Sequence, residues 1–263
     1  MDYQKFKKEV LNALLKRFPD YEIRNEVYYK NNRKVDGIAI LIQKNIAPTF
    51  DLNSFYEDNL SINDVIKSIE DTINNKPDNM EDTIKVIMTA LAQGDYSKIV
   101  PVFLNKENNE ELLKSIVYRE WLDLVIAYKL IFDGASVTIK KDLLKQMNLT
   151  EEELYNQAIN NLKPMLFSVL DTMVCITNEN QYFGAASILD TAELERLSED
   201  FNDDLYLVPS SVHECIILPT THLNIDYIKQ SILEVNTTVV SIDDFLSNSL
   251  YKYSRNTQEI TKI

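Results

Sequence analysis

Apolar residues recur every three or four positions through residues 3–18, at Phe6, Val10, Leu11, Leu14, Leu15 and Phe18. That spacing predicts an amphipathic helix, closed by Pro19-Asp20. The pattern then changes period. Residues 21–29 are rich in β-formers, Asn31-Asn32 reads as a turn, and Ile38, Ile40 and Ile42 alternate within 34–43, which together predict a hairpin. A break at Ala47-Pro48-Thr49 leads into a loop or short helix around Phe50, Leu52, Phe55 and Tyr56. Helical spacing returns over 61–74, with Ser61 and Asp64 placed for a capping box, and again over 81–93, closed by Gly94. The Lys76-Pro77-Asp78-Asn79 interruption and the change of pattern after Gly94 mark the best boundaries. They divide the chain into a helix, hairpin and helix region at 1–95 and a larger mixed region at 96–263, which could also pack as one unit.

The second region opens with a strand over 96–104, where Pro101 implies a sheet edge or a bulge. A helical turn is expected at 110–115. Residues 117–132 suit either a buried helix or a long strand. Their β-branched and aromatic content, followed by Asp133-Gly134 and Val137-Thr138-Ile139, favours a hairpin. Helices are expected at 142–147 and 150–162, the latter with Thr150 and Glu153 as a capping box. Further on, 174–177 and 182–189 read as a hairpin about Asn178-Glu179-Asn180, and 191–201 reads as a helix. Later come helices at 224–235 and 241–246, a strand at 249–255, and an unpatterned ending over 256–263. Hairpins with interspersed helices make the fold class α+β, with a largely antiparallel sheet.

The stretch DDLYLVPSSVHECIILP, residues 203–219, stands out. Two apolar runs, 205–208 and 215–218, flank a polar turn. Ser210, Ser211, His213 and Glu214 crowd into that turn, which makes it the candidate functional site. Nucleophilic catalysis needs a serine hydroxyl against one imidazole nitrogen and a carboxylate against the other. Neighbours along an extended chain diverge, so Ser211 and His213 could share a strand face only with Glu214 pointing away. A hydroxyl-rich turn that satisfies its own backbone accounts for the same residues. His213 and His222 lie in no zinc-binding frame, and no glycine-rich phosphate loop is present. No metal or cofactor is expected.

The formal net charge of −14 repels phosphate backbones and anionic membrane surfaces, so direct nucleic-acid binding and membrane binding are not expected. Lysines and arginines gather near the N-terminus, but acidic residues interleave with them. Cys175 and Cys215 lack metal or redox spacing and fit a reducing compartment. No signal peptide pattern and no bilayer-length apolar run is seen, so a cytoplasmic location is expected.

Several pieces resemble a family of unknown function from gut clostridia-type bacteria and their mobile elements, one that carries a PSSVHE-type motif. They are NIAPTFDLNSFYEDN (45–59), EELLKSIVYREWLDLVIAYKL (110–130), LTEEELYNQAINN (149–161), VCITNENQYFGAASIL (174–189), DLYLVPSSVHECIILP (204–219) and EVNTTVVSIDDFLSNSLYKY (234–253). The resemblance implies a bacterial or mobile-element origin and an order of elements, and brings no activity with it. The expected function is a non-enzymatic intracellular protein that binds a protein partner. Its sharper form is an acidic inhibitor of a nucleic-acid-binding protein. The alternative is a hydrolase-type enzyme using the turn at 210–214.

Overall fold

In the computed structural model, residues 1–41, 49–74, 89–132, 135–170 and 172–263 are described. The chain divides into two compact units, Met1–Ile87 and Met88–Ile263. The first unit begins with helix α1 (Tyr3–Arg17), whose N-cap Asp2 accepts from the Lys5 N–H. Strands β1 (Glu22–Lys30) and β2 (Arg33–Leu41) form the expected hairpin, and β3 (Thr49–Asp51) adds to β2. Gly37 permits that last pairing, since a Cβ there would stand 2.6 Å from the Phe50 carbonyl oxygen. Helices α2 (Leu52–Glu57) and α3 (Ile62–Asn74) follow, and Ser61 and Asp64 exchange the hydrogen bonds of a cap. Phe6, Val10 and Leu14 of α1 meet Val65 and Ile69 of α3 and Ile38 and Ile40 of β2 in one core. The expected break at 76–79, most of the helix at 81–93 and Asp133-Gly134 lie outside the described residues.

Among its described residues, the second unit contains two antiparallel sheets. In the smaller one, β6 (Leu124–Phe132) pairs with β4 (Ile99–Asn105) on one side, and with β5 (Tyr118–Trp121) and β7 (Ala135–Thr138) on the other. Pro101 therefore sits on an edge strand, where its missing N–H costs no ladder bond. The stretch 117–132 is strand, not helix, and it contains a hairpin of its own. Trp121 pairs with Leu124 across a loop of Leu122 and Asp123, with Leu122 at φ 51°.

The larger sheet has the order β13-β12-β10-β11-β9-β8. Its strands are β8 (Pro164–Leu170), β9 (Met173–Asn178), β10 (Leu205–Pro209), β11 (Cys215–Pro219), β12 (Tyr251–Ser254) and β13 (Glu259–Lys262). The stretch singled out by sequence forms the two middle strands. Alternation along them has a physical reason, because both faces are covered. Leu205, Leu207, Cys215 and Ile217 join the main core with Phe103, Ile126 and Tyr251. Tyr206 and Val208 turn the other way, against Ile228 and Ile232. Those two isoleucines belong to the unit's last helix (Ile225–Thr238). Earlier helices whose bounds lie within the described residues are α4 (Glu110–Leu113), α5 (Lys141–Met147), α6 (Glu151–Asn160) and α7 (Thr191–Phe201), and the last is labelled α8. The Thr150–Glu153 capping box opens α6 as expected.

Three expectations fail, each for a local reason. Residues 182–189 are not a strand. Gln181 and Phe183 take left-handed backbone (φ 51° and 55°), and Gly184–Leu189 coil into a 3-10 turn. A Cβ on Gly184 would lie 2.2 Å from Thr177 Oγ1 and 2.8 Å from the His213 carbonyl oxygen, so this turn is wedged between β9 and the β10–β11 connection. Residues 241–246 form turns, not a helix. Their carbonyls are claimed from outside: the Val212 N–H donates to the Asp244 carbonyl (2.9 Å) and Asn105 Nδ2 to that of Leu246 (3.0 Å). The ending does not fray, because β13 pairs along β12 from Ser254↔Glu259 to Tyr251↔Lys262.

Candidate functional site

The β10–β11 turn brings Ser210, Ser211, His213 and Glu214 together, yet the contacts are not those of a triad. Ser210 Oγ donates to Glu214 Oε1 (3.1 Å), and Ser211 Oγ accepts from the His213 N–H (3.0 Å). Neither hydroxyl bonds the imidazole. The Phe183 N–H donates to His213 Nδ1 (3.1 Å), and Nε2 lies 3.0 Å from Asp244 Oδ1. A backbone N–H can only donate, so Nδ1 is the acceptor nitrogen and Nε2 carries the proton given to Asp244. Both ring nitrogens are thus committed. The Tyr182 ring stacks on the imidazole, with centroids 5.2 Å apart, and the Thr177 hydroxyl donates to the His213 carbonyl (2.7 Å). His213 therefore clamps three segments: its own turn, the 3-10 turn and the 241–244 turn. Asp244 was not singled out in the sequence, because nothing in the chain signals a partner 31 residues away.

The sulfur chemistry is equally restrained. The Cys175 thiol points at Glu214 Oε2 (3.7 Å), and burial with that carboxylate pushes it up to about 11. Burial holds the Cys215 thiol well above its usual range. Neither is a ready thiolate at neutral pH. Among the described residues, no group of three or more His, Cys, Asp and Glu could hold a metal ion.

A groove of about 580 Å³ begins where this turn ends. Pro209 and Ser210 border it, Val208, Ile216 and Leu218 floor it, and Tyr227 and Val235 of α8 form the far wall. The groove arises because α8 covers Val208 and, in part, Ile216 and Leu218, but leaves the β8 side of the same sheet face open. Its β8 end carries Leu170, 64% exposed. β8 is an edge strand with Met165, Phe167, Val169 and Leu170 all exposed. Sequence reasoning missed this feature. β8 was not read as a strand, and the apolar residues of α8 satisfy a helical stripe whether or not they are covered.

A model described as a family of unknown function (DUF5688) matches residues 3–174 and 168–255. The chain belongs to that family. Searches of curated proteins and of solved structures match nothing to it.

Proposed function

We propose that this member of the family is a non-enzymatic binding protein that takes an apolar segment of a protein partner into the groove beside the β10–β11 turn. The observation carrying this reading is the groove itself, about 580 Å³, mainly apolar and continuous with the exposed edge strand β8. Concave apolar surfaces with a few polar groups at the rim are the usual form of binding sites, and an open strand edge offers backbone bonds to an added strand. The commitment of both His213 nitrogens supports binding over hydrolysis, because no serine hydroxyl has the imidazole as its base. The sharper form, an acidic inhibitor, rests on the net charge of −14 and on the mobile-element resemblance. Asp36, Asp51, Glu151, Glu193 and Asp204 are each engaged by a lysine or arginine, which does not favour a free acidic stripe. A cytoplasmic, bacterial setting near mobile elements completes the proposal. The two free cysteines support a reducing compartment, and the bacterial, mobile-element setting rests on the resemblance of the sequence pieces alone.

Capture from a lysate of the native host tests it, with the wild type and the variants Leu170→Asp and Val235→Asp as baits. These residues are 64% and 44% exposed, so the fold should survive, which circular dichroism checks. A reproducible partner held by the wild type and lost by both variants is expected. Equal capture by all three, or no reproducible partner, overturns the proposal.

A further inference from the structure

The larger sheet ends differently on its two sides. β13, at one edge, exposes Glu259 and Lys262, and charged side chains on an edge strand deter further pairing. β8, at the other edge, holds no charged residue over its seven positions. Among the described residues no strand pairs with its outer side. Pro164 and a register shift between Ser168 and Leu170 stand at its two ends and leave 165–168 regular. An uncharged, open edge of this kind is a template for another strand.

The side chains along that edge are apolar too. Leu166 packs on the main core, whereas Phe167 is in register with Cys175 and, through it, with Ile216, on the α8 side of the sheet. Met165, Phe167, Val169 and Leu170 are 38–64% exposed. At roughly 200 Å² for a large apolar side chain, they show about 400 Å² of apolar surface between them. A standard interface buries about 800 Å² per partner, a little over half of it apolar. β8 thus supplies nearly the apolar share of one, and paired backbone and flanking residues supply the rest.

Charge narrows the occupant. None of the residues bordering the neighbouring groove is Asp, Glu, Lys or Arg, although 26% of the chain is charged. This face has no charge with which to select a basic or an acidic partner. Two chains of net charge −14 can meet there without bringing like charges into contact.

We propose that β8 pairs antiparallel with β8 of a second copy of this chain, joining two six-stranded sheets edge to edge about a twofold axis. Pairing the strand with itself sets the apolar residues near its middle against one another or against their own copies, and such cross-strand pairs stabilise a sheet. The twofold keeps both α8 faces on one side of the joined sheet, so the two grooves lie on the same face. Assembly stops at two, because the β8 edges are used up and the β13 edges carry charge. The pairing rests on the open sheet face of the proposed binding role, but it uses the β8 edge and leaves the α8 wall of the groove free.

Sedimentation velocity of the full chain over a concentration series tests it. A dimer in exchange with monomer is expected, and the Met165→Lys/Phe167→Lys double variant should weaken it at least tenfold. Both residues are exposed, so the fold should survive, which circular dichroism checks. Amide hydrogen exchange gives a second reading that needs no variant. An unpaired edge leaves alternate β8 amides open to water, whereas pairing slows exchange at every amide from Met165 to Ser168, and dilution to monomer speeds the outer ones again. Val235→Asp, on the far wall of the groove, should remain dimeric whether or not it loses a captured partner. A monomeric wild type that captures a partner therefore overturns the pairing alone, and a dimeric wild type that captures none overturns the groove reading alone. A monomer at every concentration, a dimer as strong in the double variant, open-ended assembly, or fast exchange at alternate β8 amides of the dimer overturns the proposal.

Discussion

At the scale of single residues, His213 illustrates how crowding along a chain differs from convergence in space. The residue types around it are those of hydrolytic chemistry, but its hydrogen bonds run to a backbone amide and to Asp244. Replacing it with alanine leaves the Phe183 N–H without its acceptor and frees the 241–244 turn. Losing bonds to partly buried groups costs on the order of 1–2 kcal/mol. His213→Ala should therefore lower the urea midpoint and melting temperature, and an unchanged melting temperature would contradict the clamp. The candidate residues could be picked from sequence because histidine and cysteine are scarce in this chain. Their role could not, because the deciding partners, Phe183 and Asp244, are 30 and 31 positions away.

At the scale of elements, the legible parts are those whose local signals agree with their surroundings. The α1 stripe, the β1–β2 hairpin and the α6 capping box all appear where spacing and cap chemistry put them. The β5–β6 hairpin shows the opposite case. Its two-residue loop has leucine at a position with φ 51°, where glycine or asparagine is the usual signal, so no turn was readable inside 117–132. Left-handed backbone costs a bulky residue ~1–2 kcal/mol, and Leu122 is 46% exposed, so little burial offsets it. Leu122→Gly should thus stabilise the protein by roughly 0.5–1 kcal/mol, net of glycine's greater freedom when unfolded. Equilibrium urea unfolding measures this, and a destabilised variant would show that the leucine side chain holds the turn. The strands β8 and β13 were illegible for another reason. An edge strand needs backbone partners on one side only, and its side chains carry little of the alternation that marks a half-buried strand.

At the scale of the whole molecule, the acidic surplus is partly structural, and this fixes how stability depends on pH. In the first unit, burial acts to raise Asp51, but the Ser54 hydrogen bonds and the charges of Arg33 and Lys30 outweigh it and hold the carboxyl low. In the second, burial is likewise outweighed at Asp123 by Ser249, Tyr251 and Ser247, and at Glu151 by Arg119 and Tyr128. Each of these groups binds its proton more readily in the unfolded chain. Their contribution is therefore fully present above about pH 5 and is lost as pH falls through the lowered native values. Lys129 works in the other direction. Burial brings its ammonium down to about 8, so below that pH a desolvated charge opposes folding. Between there and the unfolded value near 10.4, the unfolded chain holds the extra proton, and stability rises with pH. Other groups also titrate in the alkaline window: the Cys175 thiol, raised to about 11, contributes a loss there. The wild-type curve alone is thus a mixture, and the comparison with Lys129→Met isolates the lysine. Urea unfolding across pH should show the wild type losing stability on the acid side in parallel with the variant. The variant should be the more stable near neutrality, by about 1–3 kcal/mol at most, with the gap closing as pH rises past the lowered lysine value. A gap that stays constant through that window would mean that Lys129 keeps its charge in the native state, held by Thr138 and the Phe183 ring more tightly than burial opposes it.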